Sequence, residues 1–344
     1  MSASQVYDRS IVVDFRSFPT FTRAGMAALK KSGMSLVHTG VETVEDALTL
    51  RKEIEEFSDH VILVTKTEDV RRAKREGKTG IMVSIEHPDA IAEGCSDMEP
   101  VLRTHITIIE HFYQLGVRAI QPSYNRRTRF ADGCTERTNG GLSWYGVELV
   151  EKMNELGMVV QPSHCGEQTT LDCIEVSKDP ICISHSGCKA VYDHPRCKSD
   201  EVLRRLADKG GVMGVFILTF FVSPTPAQTT SDDIVAHIDH AVKVAGIESV
   251  GIGTDYGIYV PPSGINPEAY RNSRKFKYEA VKNPKYGHFV NEVNLQYPPV
   301  PSDMLHEKRL LTVAEKLEAK GYGDDAIEKI LGANVMRVLQ EVIG

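Results

Sequence analysis

The sequence is short of the features that tie a chain to a membrane, a nucleic acid or an oxidising compartment. No apolar run approaches the ~20 residues of a bilayer span. Positive charge is in deficit: 40 Lys and Arg against 47 Asp and Glu give a formal net charge of −7, which offers no general attraction for nucleic acid or anionic lipid. The opening MSASQVYDRS lacks the hydrophobic core of a secretory signal and is expected to pass straight into a strand at Ile11–Val13. Cysteine is sparse for a disulfide framework. There are seven, an odd number, with no C-x-x-C pair in 344 residues, which fits a reducing cytoplasm better than an extracellular setting. Repeats of 20–50 residues are missing too, so a solenoid or propeller is not expected. The expectation is a cytoplasmic protein with a small-molecule partner, no nucleic acid and no membrane. A homodimer is the one assembly considered.

What is present is a long alternation of short apolar runs and amphipathic stretches. With 41% apolar residues the chain can bury a large core, and it is read as a single domain over 1–344. Eight runs read as strands: 11–15, 35–39, 81–85, 117–121, 158–162, 181–184, 211–217 and 250–253. Helical spacing falls between them, at Arg23–Ser32, Val44–Phe57, Thr67–Glu76, Met98–Leu115, Leu142–Leu156, Thr169–Ser177, Glu201–Asp208 and Ile234–Ala245. This pattern predicts an α/β fold of the (β/α)8 TIM-barrel type rather than an open sheet. The run at 61–64 reads as an insertion, and Arg126–Gly141 as a polar loop. Residues 259–302, rich in Pro, Tyr and Asn, read as a long loop or lid over the barrel mouth. Helix returns over Glu307–Ile343, with a Gly-Ala-Asn break at 332–334.

In such barrels chemistry is built at the C-terminal ends of the strands. The stretch from Gly157 to Arg196 has two strand-like runs, each ending in Ser-His, so His164 and His185 occupy corresponding tips. Neighbouring strands lie about 4.8 Å apart, and imidazole nitrogens bind zinc at about 2.0–2.1 Å, so the two rings can converge on one ion. Either histidine alone is more simply a strand-end residue; the repetition in successive βα units favours a metal. The other tips carry Asp14, Arg16, Glu86, Tyr124 and Asp255; Glu86, His164, His185 and Asp255 are each expected two residues beyond an inward-facing strand position. Glu86 or Asp255 alone would suit a helix cap. With the histidine pair they form a hard-cation or zinc-type set. Cys165 and Cys188 lie nearby and are read first as small buried hydrophobes.

Several segments resemble the membrane (renal) dipeptidase family, the M19 metallopeptidases among the amidohydrolase-like barrels: GKTGIMVSIEHPDAI, YQLGVRAIQPSYN, GGLSWYGVELVEKMNELGM, QPSHCGEQT, PICISHSGCKAVYDHPRCKSDE, VGIGTDY and LGANVMRVL. The resemblance spans nearly the whole chain. It implies that Glu86 bridges two metals and that His164 and His185 complete the second metal's shell. It further implies that Asp255 positions water and shuttles its proton, and that Arg196 clamps a substrate carboxylate. Two departures stand out. The family ends strand one in His-x-Asp, which supplies the first metal; here Arg16 and Phe18 stand at those positions. The family's substrate-facing histidine at the end of strand four is Tyr124.

These departures lead to the expectation of a hydrolase with one divalent metal, zinc first, held by Glu86, His164 and His185. Arg16 would replace part of the lost cation's charge, because a guanidinium stays protonated and pairs carboxylates. Asp255 would be the general base, Tyr124 a hydrogen-bond donor to the developing oxyanion and to substrate, and Arg196 the carboxylate clamp. The substrate expected is a small amide, cyclic amide or C–N compound bearing a carboxylate. Common L-L dipeptides are expected to be poor substrates, because Phe18 and Arg16 disfavour a free ammonium group. The rival reading is a metal-free pseudoenzyme that binds a small amino-acid derivative.

Overall fold

A computed structural model describes residues 1–88, 91, 108–258 and 299–344. All eight expected barrel strands are there: β1 Val13–Asp14, β2 Leu36–Val41, β3 Thr79–Ile85, β4 Val117–Ile120, β5 Val159–Val160, β6 Cys182–Cys188, β7 Val212–Val215 and β8 Val250–Ile252. They pair in parallel in the order β1-β2-β3-β4-β5 and β8-β7-β6. The seam between β8 and β1 is zipped by Phe15 N–H to Ile252 O at 2.9 Å and Asp255 N–H to Arg16 O at 2.8 Å. Across the other seam, the Ser163 hydroxyl bridges to Ser184 Oγ at 3.0 Å and accepts from His185 N–H at 3.3 Å. The result is the (β/α)8 barrel expected from the alternation.

The two faces of the strands separate into two cores. Val37, Ile81, Val83, Ile120, Val160, Ile183, Met213 and Val215 belong to the large cluster shared with the helices. Phe15, Leu36, Met82, Ala119, Val159, Cys182 and Val212 fill the lower barrel and pack with Val335, Val338 and Leu339 of the C-terminal helix Asn334–Ile343. That helix plugs the bottom. Its entry at Gly332 needs glycine, since a Cβ there would lie 2.2 Å from Ile11 O.

Helix ends follow local chemistry. Arg23–Ser32 begins at Thr22, whose side chain accepts from Gly25 N–H, and stops at Gly33 with φ 75°. One expectation changes and two sharpen. The N-terminal segment does not run directly into a strand: Ala3–Arg9 is a helix, started by a capping box between Ser2 and Gln5. Residues 61–64, expected as an insertion outside the barrel eight, form an extra strand, Val61–Val64, that pairs in parallel with the first half of β3. The C-terminal stretch divides into Arg309–Ala319, Asp324–Glu328, a π turn over Lys329–Ala333, and Asn334–Ile343. Of the helix expected over Met98–Leu115, Ile108–Gln114 is helical and 98–107 lie outside the described residues, as does the lid region over 259–298. Among the described residues, no helix is long and apolar enough to cross a membrane.

Candidate active site

Glu86, one residue beyond β3, His164 in the turn after β5 and His185 within β6 bring a carboxylate oxygen and two ring nitrogens within 4.8 Å of one another, all buried. The His164 and His185 Nε2 atoms are 2.8 Å apart, and His185 Nε2 is 3.6 Å from Glu86 Oε1. Strict alternation would not have aimed His185 here, since Ile183 faces the outer core. The pairing of β6 with β7 slips by one residue, Ile183 opposing Met213 but Ser186 opposing Val215. This bulge turns His185 inward, as bulges commonly do beside active sites.

Each ring nitrogen away from the cluster has a partner. His164 Nδ1 is 2.7 Å from Asn125 Oδ1, and His185 Nδ1 is 2.8 Å from Ser184 Oγ. Gln121 ties the layer together, donating from Nε2 to Glu86 O at 3.1 Å and accepting from His164 N–H at 2.9 Å. Burial and the neighbouring guanidiniums hold both rings well below the usual imidazole range, so they are neutral. Neutral imidazole is the form that ligates metal.

Arg16 lies across this layer. Its Nη2 donates to Glu86 Oε2 at 2.5 Å, with side chains only 5% and 7% exposed. Glu86 Oε1 has no hydrogen-bond partner among the described residues, nor do Arg16 Nε and Nη1. Burial raises the Glu86 carboxyl to about 7 in spite of Arg16, which acts the other way. The guanidinium lies between the Phe18 ring, 4.5 Å from its Cζ, and Gly40 of β2, where a Cβ would be 2.8 Å from Nη1. Glycine at 40 leaves the room that Arg16 occupies.

Tyr124 stacks on His164 with ring centroids 3.9 Å apart, and His87 covers its other face at 3.7 Å. Burial and the nearby Glu86 push its phenol upward, so it remains a donor. Asp255 sits beyond β8 in the left-handed region, φ 57°, anchored by its N–H to Arg16 O, and its charge acts on both Glu86 and Tyr124. Arg196 is fully buried. Its Nη1 donates to Ser163 O at 2.5 Å and its Nη2 to His164 Nε2 at 3.1 Å, while Nε has no partner among the described residues. Asp14 accepts from Thr254 N–H at 2.8 Å and from Thr254 Oγ1 at 2.7 Å and is not among the clustered ligand-type groups.

Sequence reasoning missed Asn125, Gln121, Ser163, Ser184 and Gly40. It also missed Lys198, whose buried ammonium donates to Pro162 O at 3.0 Å and to Cys165 O and Thr170 Oγ1 at 2.9 Å, clasping the loop that carries His164. Cys165 and Cys188 are buried and free, as their reading as small hydrophobes requires. The one available signal was position: Asn125 follows Tyr124 at a strand end, and Ser163 and Ser184 directly precede the two histidines.

A family model described as membrane dipeptidase (peptidase family M19) matches residues 13–272. An uncharacterised dipeptidase of Schizosaccharomyces pombe is 34% identical over 231 residues, covering 65% of this chain and 53% of that protein. The dipeptidase verJ of Clonostachys rogersoniana is 29% identical over 293 residues, covering 84% of this chain and 62% of its own. The chain therefore spans between half and two thirds of the length of these curated relatives. Among solved structures, an amidohydrolase from Pseudomonas aeruginosa superposes with TM-score 0.84 at 29% identity, over 99% of both chains. A metallopeptidase from Rhodobacter sphaeroides, liganded with a phosphinate mimic of the dipeptide L-Ala-D-Ala, shares the fold with TM-score 0.74 at 17% identity, over 97% of this chain and 99% of the other.

Proposed function

The chain belongs to the membrane dipeptidase family, peptidase family M19, and on that premise we propose that it is a metal-dependent hydrolase of small carboxylate-bearing amino-acid derivatives working with a single divalent ion. The observation that carries the single ion is the division of Glu86: Oε2 is taken by Arg16 and Oε1 is left facing the histidines. The donor set fits a zinc-type ion, with two neutral imidazoles and one carboxylate oxygen from three different strand ends. When bound, such an ion supplies Lewis-acid charge that polarises a carbonyl and acidifies water.

The chain's own residues would do the rest. Asp255, held by Arg16 O and half-exposed at the mouth, takes a proton from the attacking water and delivers it to the leaving nitrogen. Tyr124, pinned between His87 and His164, donates its phenolic proton in a hydrogen bond to the developing oxyanion. Arg196 holds the substrate carboxylate through Nε and through Nη2 once that atom leaves His164. Arg16 keeps a fixed positive charge on Glu86, and the Phe18 ring, 43% exposed, makes that corner apolar. A free ammonium group placed there would be desolvated beside a guanidinium, so N-acylated, N-alkylated or lactam-type substrates are favoured over free dipeptides. The intact ligand triad argues against a metal-free pseudoenzyme.

The test pairs elemental analysis with steady-state assays on free dipeptides and their N-blocked counterparts. About one ion per chain and higher kcat/KM for the blocked series is the expected result. Free dipeptides turning over within the ~10⁴–10⁸ M⁻¹s⁻¹ range of ordinary enzymes, with the blocked series slower, would refute the substrate preference.

A further inference from the structure

Two adjacent imidazoles at this site are held by different kinds of partner. Arg196 Nη2 lies 3.1 Å from His164 Nε2. A guanidinium has only donors, so His164 Nε2 must be the acceptor and carries no hydrogen. The neutral ring then has its proton on Nδ1, which faces Asn125 Oδ1 at 2.7 Å. Asn125 is itself fixed. Its carbonyl accepts from Thr135 N–H at 2.9 Å and Thr135 Oγ1 at 2.5 Å, and its Oδ1 is 3.4 Å from the Cys134 thiol, which can donate to it. The residue sits at φ 59°, the left-handed region that asparagine tolerates better than most side chains.

His185 differs. Its Nε2 is 2.8 Å from the hydrogen-free Nε2 of His164, so it donates there and its Nδ1 accepts from Ser184 Oγ at 2.8 Å. Ser184 in turn faces Ser163 Oγ at 3.0 Å, and each hydroxyl can rotate to donate or accept. The partners at Nδ1 therefore differ: the Ser184 hydroxyl on His185 could donate or accept, whereas the amide oxygen on His164 only accepts.

We propose that Asn125 is a positioning residue that presets His164 with its Nε2 lone pair aimed into the site before any ion arrives. In this it takes the place of the carboxylate or backbone carbonyl that commonly orients a ligating histidine, but without adding charge. The inference rests on the reading of His164 as a ligand only for its consequence on affinity. The tautomer itself stands on the hydrogen-bond geometry.

Long-range ¹H–¹⁵N correlation spectra of the chelator-treated, histidine-labelled full chain read the tautomer directly. His164 is expected to be Nδ1-protonated and His185 Nε2-protonated. An Nε2-protonated His164 overturns the proposal whether or not the protein takes up zinc. Competition for Zn2+ against a chromophoric chelator supplies the second arm. Asn125→Leu removes the acceptor at similar size and is expected to weaken zinc binding about 10–100-fold, whereas Asn125→Asp keeps the acceptor and stays at or above wild-type affinity. If Asn125 served only packing, the order would reverse, with the apolar isostere tolerated and the buried charge not; that order overturns the proposal. A wild-type chain with no zinc affinity would instead remove the metal reading and leave the spectra to decide this one.

Discussion

Replacing Arg16 by Met tests whether a side chain has taken over the charge of an ion. The guanidinium and Glu86 form a 2.5 Å pair between side chains that are 5% and 7% exposed, so little water would be available to the carboxylate once its partner is removed. Breaking one side of such a buried pair typically costs about 3–5 kcal/mol. The cost should depend on pH in a defined direction. Burial lifts the Glu86 carboxyl from its ordinary 4.5 to about 7. A carboxyl whose folded value lies above its unfolded value binds its proton more tightly when folded. Its contribution to stability is therefore largest at low pH and is lost as pH rises through about 7. Arg16 opposes that loss, so Arg16→Met carries it further upward. Urea unfolding of chelator-treated protein should show the full ~3–5 kcal/mol penalty at pH 8 and about 1 kcal/mol or less at pH 5, where Glu86 is neutral in both proteins and the wild type retains a buried guanidinium. An equal penalty at both pH values would refute the reasoning, since a guanidinium acting only as packing has no reason to track the protonation of Glu86.

The double variant Arg16→His with Phe18→Asp restores the ligand types that the family places at the end of strand one. Elemental analysis should show its metal content rising from about one toward two ions per chain, and no rise would mean that loss of the first site involves more than these two positions. Arg196→Ala should raise KM for the best N-blocked substrate at least tenfold, about the 1.4 kcal/mol that one charge-assisted hydrogen bond supplies; an unchanged kcat/KM would remove Arg196 from substrate binding. His38 is fully buried, donates to Phe15 O at 2.8 Å, and is held down to about 3 chiefly by burial. Its folded value lies below its unfolded one, so stability should fall between pH 6.5 and about 3 by about 1.4 kcal/mol per pH unit at most, and His38→Gln should flatten that fall in urea titrations. A wild type and variant with parallel acid profiles would show that His38 does not set the acid limit.

Elements announced by local chemistry were legible in the sequence. Arg23–Ser32 and Thr67–Glu76 end as expected, because Gly33 and Gly77 both take the left-handed cap conformation that helix ends favour. The strand tips were legible for a similar reason: a polar residue after a short apolar run stands out at the end of a buried strand. Glu86, His164 and His185 were read that way; Glu86 and His164 do lie beyond their strands, but His185 lies within β6, and the three converge. The N-terminal helix was not, since it is only seven residues long and is held partly by distant partners, with Ala3 N–H on Glu318 and the amino terminus on Asp324. Nor was the bulge in β6 legible. Its cause is the pairing with β7, and no property of Ile183, Ser184 or His185 alone reports a register shift. The orienting groups were hidden because an Asn or Ser at a strand end is ordinary until a ring nitrogen is placed against it.

Arg16 does not act alone, and this bears on the proposed single-ion site. A histidine or aspartate reaches an ion from the edge of the site, but a guanidinium must lie flat to face Glu86. Lying flat needs a floor without a side chain and a roof that tolerates positive charge. Gly40 provides the floor, since a Cβ there would meet Nη1 at 2.8 Å, and the Phe18 ring provides the roof at 4.5 Å. An aromatic face attracts a guanidinium by about 0.5–2 kcal/mol, depending on how dry the contact is. Phe18, which stands where the family resemblance places a ligand, thus supports the guanidinium, and Gly40 on the next strand leaves room for it. The three residues hold a permanent positive charge on Glu86 Oε2 and leave Oε1 and the two histidines as the donors available to an ion. The proposed single-ion state would then follow from the strand ends and would not depend on metal supply.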